Sequence, residues 1–258
     1  MTDLSEMVDK VFRPPRLVRG EKRGMHARTL PENFKYYKYW GFTIYRTYYG
    51  PGSDKHWETL LRALKQQTLL SFGYYETEEY RSQDGAWRSG RYAHGADYNR
   101  ELSIFKDLFR LFPREDQSLL SGLSMEGIRE ICIQEHSQAE ERMAGANFNF
   151  VLVADEAVLN DIARQVFVVK ALGYDWDPMR GRTPWMRVST ASLLNLWGML
   201  LESELLDIGK YFTFRYKGSK EELESLLWGG NPTAPYFEDC TEAGTAQREI
   251  GAAQFTFD

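Results

Sequence analysis

Cysteine is scarce in this sequence, and apolar runs long enough to cross a membrane are missing. The chain of 258 residues has two cysteines, Cys132 and Cys240, too few for a disulfide framework, so we expect reduced thiols. No apolar run reaches the about 20 residues of a spanning helix. The N-terminus also lacks the basic and apolar regions of a secretory signal. These absences predict a cytoplasmic protein without membrane contact, with the nucleus as the second choice.

The common catalytic signatures are absent as well. The chain has no glycine-rich phosphate loop, no dinucleotide-binding glycine motif, no nucleophile elbow and no paired C-x-x-C. His136 and Glu140 have the spacing of two residues on one helix face, but no further ligand stands at metal-binding spacing nearby. The sequence therefore predicts no metal site. It leaves open whether the protein is an enzyme, and any cofactor stays unknown.

Apolar and aromatic residues are plentiful, at 43% and 14% of the chain, which predicts a packed globular protein. The net charge of −5 gives no general attraction to nucleic acid. Positive charge is concentrated between Lys10 and Arg28, where seven Lys or Arg residues accompany one acid, Glu21. We interpret residues 1–29 as a basic N-terminal arm. Nucleic acid is an unfavoured partner, whose contact would be limited to residues 10–28.

The clearest structural signal lies within residues 36–72. Aromatic and β-branched residues from Trp40 to Tyr48 predict a strand, which a Gly-Pro-Gly turn ends. Ser53 or Asp54 is expected to cap the helix that follows. Strand alternation predicts one face with Trp40, Phe42, Ile44 and Arg46, and another with Thr43, Tyr45 and Thr47. Helical periodicity predicts a buried stripe of Trp57, Leu60, Leu61, Leu64 and Thr68.

Residues 73–100 mix tyrosine, tryptophan, arginine and glycine without periodicity, and this pattern predicts a long loop. Long loops are often binding segments, and aromatic rings beside arginine can stack on a planar ligand. The expected ligand-binding residues are Arg46, Trp87, Arg88, Arg91 and Tyr92. His94 and Asp97 are the candidate catalytic pair. The alternative is a loop whose aromatic side chains simply pack over the core.

Helices are predicted over residues 101–111, where Pro113 is expected to close the element, and again from Ser124. From residue 148 to residue 217 the elements follow the order β-α-β-β-α-β, which is typical of a ferredoxin-like split βαβ unit. The predicted fold class is therefore α+β, with that unit at about 148–217 packed with the N-terminal β-turn-α unit and additional helices. A single domain would span 30–230, followed by a loosely packed tail at 231–258. Whether Tyr211–Tyr216 is a strand stays open.

Several of these pieces together resemble an uncharacterised group of filamentous-fungal intracellular proteins. They are the strand W-G-F-T-I-Y-R-T-Y-Y-G with Trp57 in the next helix, the strand and helix NFNFVLVADEAVL, the turn at residues 174–178, and W-M-R-V-S before a leucine-rich helix. The resemblance covers roughly residues 36–215 and implies an intracellular α+β fold. No activity is assigned to the group, so the resemblance implies no catalytic residue.

We therefore expect a non-catalytic binding or interaction protein. It would use the aromatic segment and the sheet face bearing Arg46 to hold a small planar ligand or a protein partner. The alternative is a small-molecule enzyme, for example of secondary metabolism, with His94, Asp97 and Arg46 near its pocket. Convergent polar groups with shifted pKa values in an apolar cavity would favour the enzyme. A flat exposed aromatic surface would favour the interaction protein.

Overall fold

The structure is a computed structural model that describes residues 3–16, 27–28, 30–83, 95–139, 143–144, 148–175, 185–205 and 220–228. The strands are β1 Trp40–Arg46, β2 Phe109–Arg114, β3 Phe150–Ala154, β4 Val168–Gly173 and β5 Trp185–Ser189. The α-helices are α1 Leu4–Val11, α2 Ser53–Ser71, α3 Gly73–Glu76, α4 Glu78–Gln83, α5 Gly95–Asp107, α6 Gln117–Leu120, α7 Met125–Glu135, α8 Glu156–Ala163, α9 Leu193–Leu205 and α10 Lys220–Leu223. Short 3-10 turns cover Pro31–Tyr36, His136–Gln138 and Thr190–Ser192.

The described strands form a mixed open sheet in the order β2-β1-β3-β4-β5. β1 pairs in parallel with β2 on one side and with β3 on the other. β4 and β5 extend the sheet by antiparallel pairing. All seven residues of the internal strand β1 are buried. The α+β class predicted from the sequence is confirmed.

The ferredoxin-like arrangement predicted for residues 148–217 is wrong. A split βαβ unit places another strand between the two parallel strands that flank its helix. Here β3 and β4 are direct antiparallel neighbours, with Val153 opposite Lys170. The reason is that α8 has only eight residues and is about 12 Å long. The chain therefore comes back to the end of β3 that it had just left. The predicted fourth strand, Tyr211–Tyr216, lies outside the described residues.

The predicted strand and helix near the N-terminus are confirmed as β1 and α2. The capping prediction for Ser53 and Asp54 is wrong, however. Gly52 occupies the N-cap position with a φ of +75° and makes no side-chain cap. The Ser53 hydroxyl and the Asp54 carboxylate instead accept hydrogen bonds from the Arg46 guanidinium, at 2.8 and 2.5 Å. The first turn of α2 is thus tied back to the end of β1.

The described part of residues 73–100 is helical, so the prediction of a loop without structure of its own is wrong there. α3 and α4 follow α2 closely, and α5 begins at Gly95. Tyr75, Tyr80 and Tyr98 are buried, and the Tyr98 hydroxyl donates to the Tyr75 carbonyl at 2.7 Å. These aromatic side chains pack over the core, as the alternative interpretation predicted.

The helix predicted over residues 101–111 ends at Asp107, and Phe109–Arg114 form the strand β2 instead. β2 stands at one edge of the described sheet. Pro113 has no N–H to donate, which an edge strand tolerates because only one side of it is paired. The proline that seemed to end a helix therefore lies inside a strand.

The helix α1 packs into the same core, although it belongs to the segment assigned to a basic arm. Leu4, Met7, Val8 and Val11 are fully buried. The Leu4 N–H donates to the Tyr80 hydroxyl at 2.9 Å.

The tail at residues 231–258 and the basic residues 17–26 lie outside the described residues. No described helix is both long enough and apolar enough to span a membrane.

Gly41 in β1 generates the first prediction. It has a φ of +138°, and a Cβ there would lie 1.9 Å from the Arg110 carbonyl oxygen of β2. We expect Gly41→Ala to lower the free energy of unfolding by about 3 kcal/mol, because the clash is with a paired backbone. Gly122→Ala is the matched control, with a φ of +73° and nothing within 4 Å of the added Cβ. It should cost only about 1–2 kcal/mol of strain. Equal losses in urea denaturation would contradict the prediction.

Candidate functional site

A cleft of about 220 Å³ lies between one face of the sheet and α7. Strand alternation turns Thr43 and Tyr45 of β1 toward it, on the face opposite Trp40, as the sequence predicted. Phe112 and Arg114 of β2 continue the same face, because parallel strands in register point their side chains the same way. The remaining lining residues are Cys132, Glu135, Gln138, Ala139, Val151 and Tyr174.

An ion pair between Arg114 and Glu135 forms one wall of the cleft. Two parallel hydrogen bonds of 2.8 Å each join the guanidinium to the carboxylate. The hydrogen bonds that Arg114 donates to Glu135 raise the pKa of Arg114 above its already high ordinary value. Glu135 is placed by α7, which begins where the Ser124 hydroxyl accepts from the Gly127 N–H, as predicted. The wall therefore carries a planar polar group without net charge.

The Tyr45 hydroxyl and the Cys132 thiol both line the floor of the cleft. Both side chains are almost fully buried. Burial raises the pKa of Tyr45 far above its ordinary value and that of Cys132 to about 12. Both groups are therefore protonated at neutral pH, and a protonated thiol is a poor nucleophile. Cys132 is a free, buried cysteine.

Tyr174 and His136 contact each other beside the cleft. The Tyr174 hydroxyl lies 2.9 Å from His136 Nδ1. Burial raises the pKa of Tyr174 well above the ordinary range of a phenol, and the charge of the neighbouring Asp175 acts in the same direction. The predicted helical partner of His136, Glu140, lies outside the described residues. The contact that the structure does show for His136 is thus with a neutral tyrosine.

Arg46, the predicted ligand-binding residue of β1, is 4% exposed. Besides its bonds to the start of α2, its guanidinium donates to the Tyr48 carbonyl at 3.0 Å. It also lies 4.5 Å from the centroid of the Tyr49 ring. These contacts hold the turn between β1 and α2 in place. Trp87, Arg88, Arg91 and Tyr92 lie outside the described residues and stay predictions.

Asp97 forms an ion pair of 2.6 Å with Arg100 on the surface of α5. The neighbouring Tyr98 bonds to Tyr75, which lies beyond the C-terminal end of α2. Arg46 lies at the N-terminal end of that helix, whose 19 residues span about 28 Å. The structure therefore does not bring Arg46 and Asp97 together. His94, the other member of the proposed catalytic pair, lies outside the described residues.

Sequence reasoning missed most of the cleft. Thr43 and Tyr45 were assigned to the correct face of β1, and this was the available signal. Arg114 was not connected with that face because β2 was interpreted as the end of a helix. Its partner Glu135 comes from a different element, and nothing in their spacing indicates a contact.

Comparisons of the chain with protein-family models, with curated proteins and with solved structures found no match. Among the residues that the structure describes, no group of three or more His, Cys, Asp or Glu side chains is arranged to hold a metal ion. A function must therefore be argued from the geometry of the cleft.

The buried hydroxyls and thiol predict a loss of stability at alkaline pH. The pKa values of Tyr37, Tyr45, Tyr174 and Cys132 are raised, in each case first by burial. The folded protein thus keeps protons that the unfolded chain releases above about pH 8.5–10. Stability should be full below that range and fall as pH rises through it. Tyr45→Phe should reduce the slope above pH 10 by about 1.4 kcal/mol per pH unit, measured by urea denaturation.

The control for this measurement is Tyr39→Phe, which removes the same hydroxyl from a side chain that is 48% exposed. It should leave the slope unchanged. If Tyr45→Phe and Tyr39→Phe gave the same slope as the unaltered protein, the buried hydroxyl of Tyr45 would not be the source of the alkaline loss.

Proposed function

We propose that this protein binds a small, neutral, planar molecule in the cleft between β1, β2 and α7. The observation that carries the proposal is the chemistry of the lining. A charge-compensated guanidinium–carboxylate pair lies beside a buried tyrosine hydroxyl and a thiol that are both protonated. Such a lining offers hydrogen bonds and flat surfaces but no free charge. This proposal refines the binding function expected from the sequence and places it at a different site.

The volume of the cleft limits the size of the ligand. A cavity of about 150 Å³ is large enough to hold a benzene molecule. The cleft, at about 220 Å³, has room for one aromatic ring with a polar substituent or for two fused rings. It is smaller than the roughly 300–1,000 Å³ of pockets for drug-sized ligands. Nucleotides and larger cofactors are therefore poor candidates.

The charges of the lining favour a neutral ligand over an anion. A carboxylate or phosphate would have to compete with Glu135 for Arg114, whose two hydrogen bonds to Glu135 are already well formed. Planarity is favoured by the guanidinium of Arg114 and by the ring of Phe112, which is 49% exposed. Aromatic rings stack on both kinds of surface.

The state of Cys132 favours binding over nucleophilic catalysis. A catalytic cysteine needs a lowered pKa, whereas burial raises the pKa of Cys132. A small-molecule enzyme is the alternative. It is favoured by the contact of 2.9 Å between His136 Nδ1 and the Tyr174 hydroxyl, since an imidazole beside a phenol can transfer a proton. Binding without consumption of the ligand distinguishes the two functions.

The proposal predicts selective binding of neutral rings. Phenol, benzamide and indole should raise the melting temperature, while benzoate and benzylamine, of similar size, should not. A ligand at a hundred times its Kd stabilises the folded state by about 2.7 kcal/mol, which a thermal-shift assay detects. Phe112→Ala should weaken binding of the best ligand about tenfold in calorimetric titration, because it removes a stacking surface.

Tyr39→Ala is the matched control, since it removes an equally exposed aromatic ring that is not part of the cleft. It should leave the affinity unchanged. The proposal would be wrong if no ring shifted the melting temperature, or if both variants lost affinity equally. Conversion of the bound ligand, followed by chromatography, would favour the enzyme instead.

A further inference from the structure

Two buried cations, which do not line the cleft, face each other on neighbouring strands. Lys170 of β4 and Arg187 of β5 are direct partners in the antiparallel register, and they are 1% and 7% exposed. Like charges at opposed positions repel, and buried charges are costly when unpaired. Asp155 compensates Lys170 at 2.7 Å, and Asp161 accepts a hydrogen bond from Arg187.

Residues 220–228, called the strap below, supply a third carboxylate. The Glu224 side chain pairs with Lys170, and its backbone carbonyl accepts a hydrogen bond from the Arg187 guanidinium. The Trp228 N–H donates to the Arg187 carbonyl at 2.8 Å. Leu227 forms a parallel β-bridge with Arg187. The end of the strap, at Leu227 and Trp228, thus lies along β5 like a very short extra strand, whereas its start is the helix α10. Glu224 contacts both cations.

The described contacts suggest that the strap is held less tightly than the sheet. An isolated bridge, and not a ladder, pairs it with β5. The Glu224 side chain is 41% exposed, so water reaches the outer side of its ion pair. A cavity of about 560 Å³ also opens where α8 and the strap meet, with Asp161, Arg187 and Glu224 in its lining. Segments with few backbone hydrogen bonds open more readily than a paired sheet.

The buried side chains of the strap indicate which surface its release would expose. Leu223, Leu226, Leu227 and Trp228 are all buried. Release of the strap would therefore uncover an apolar groove along the edge of β5, with Lys170 and Arg187 in it. Lys170 lies 4.5 Å from the centroid of the Trp185 ring, which shields it on one side. A buried cation that has lost one carboxylate partner favours another anionic group in its place.

We propose that the edge of β5, with Lys170 and Arg187, is a binding surface for an acidic peptide whose last residues extend along β5, and that the strap is the chain's own occupant of it. The strap defines the peptide class: a carboxylate, as at Glu224, followed three and four residues later by an aliphatic and an aromatic side chain. Peptides that add a strand to a sheet edge gain affinity from backbone hydrogen bonds and specificity from side-chain pockets. The cavity beside Glu224 gives a competing peptide access. This surface is separate from the proposed small-molecule cleft.

The test uses the full-length protein with Glu224→Arg and a fluorescent peptide of residues 220–230. An arginine beside Lys170 and Arg187 expels the strap, so the variant should bind the peptide at least about tenfold tighter than the unaltered protein, measured by fluorescence anisotropy. Binding should weaken as salt is raised. Glu222→Arg makes the same charge change on an exposed side chain of the strap and should behave like the unaltered protein. Adding Lys170→Met to Glu224→Arg should abolish the gain.

Equal peptide binding by the unaltered protein and both arginine variants would overturn the proposal. If circular dichroism shows that Glu224→Arg does not fold, hydrogen exchange on the unaltered protein tests the proposal instead. Excess unlabelled peptide should then speed hydrogen exchange at the Trp228 N–H and leave the amides of β4 unchanged. An unchanged Trp228 rate would overturn the proposal. A concentration-dependent dimer that exchanges straps would assign the surface to a second copy of the chain, and this too would overturn it.

Discussion

The indole of Trp40 is the contact on which the positions of β1, β2, α5 and α9 depend. Its ring stacks on Phe105 of α5 with centroids 4.7 Å apart and planes 4° from parallel, and its N–H donates to the Phe105 carbonyl at 2.7 Å. Trp197 of α9 lies 5.2 Å away by ring centroids. The Trp40 backbone N–H also bonds to the Leu108 carbonyl at 3.1 Å. Because α5 ends against the first residue of β1, the chain that follows it can only run alongside β1. This constraint explains the parallel register that begins with Trp40 opposite Phe109.

The same constraint decides what the other face of the sheet carries. With Trp40 turned toward the helices, strand alternation turns Thr43 and Tyr45 to the opposite side, where α7 covers them only in part. Polar groups at a partly covered face must be satisfied within the protein or by water. Arg114 and Glu135 satisfy each other through two hydrogen bonds, and burial keeps the nearby Tyr45 and Cys132 in their neutral, protonated forms. The ion pair leaves the cleft with flat surfaces and hydrogen-bonding groups but no net charge. We therefore expect a neutral ring to bind there better than an anion.

Local patterns in the sequence predicted β1, α2, the strands β3 to β5 and the long helix α9, because each has a clear period and a recognisable start. β2 was missed because its residues directly follow the apolar stripe of α5, and because Pro113 was interpreted as the end of that helix. The ferredoxin-like order was wrong for a different reason: an alternation of strand and helix does not say whether the next strand returns parallel or antiparallel. The cleft was found only in part, since Arg114 and Glu135 meet through tertiary packing. The aromatic residues that were expected to bind ligand, Trp87 and Arg91 among them, lie outside the described residues.

The two charged clusters described above, Arg114 with Glu135 and Lys170 with its carboxylates, differ in how their charges are paired. This difference predicts which ligands each cluster can select. Arg114 and Glu135 come from elements fixed on either side of the cleft, so their charges cancel whether or not a ligand is present. Lys170 forms ion pairs with both Asp155 and Glu224. Glu224 belongs to the strap, which an isolated bridge joins to β5. Losing one partner of a buried cation is expensive, so any segment that replaces the strap must bring a carboxylate to the same point. A site whose charges are permanently paired within the protein discriminates against charged ligands. A site whose pairing carboxylate can detach requires a ligand that carries a negative charge.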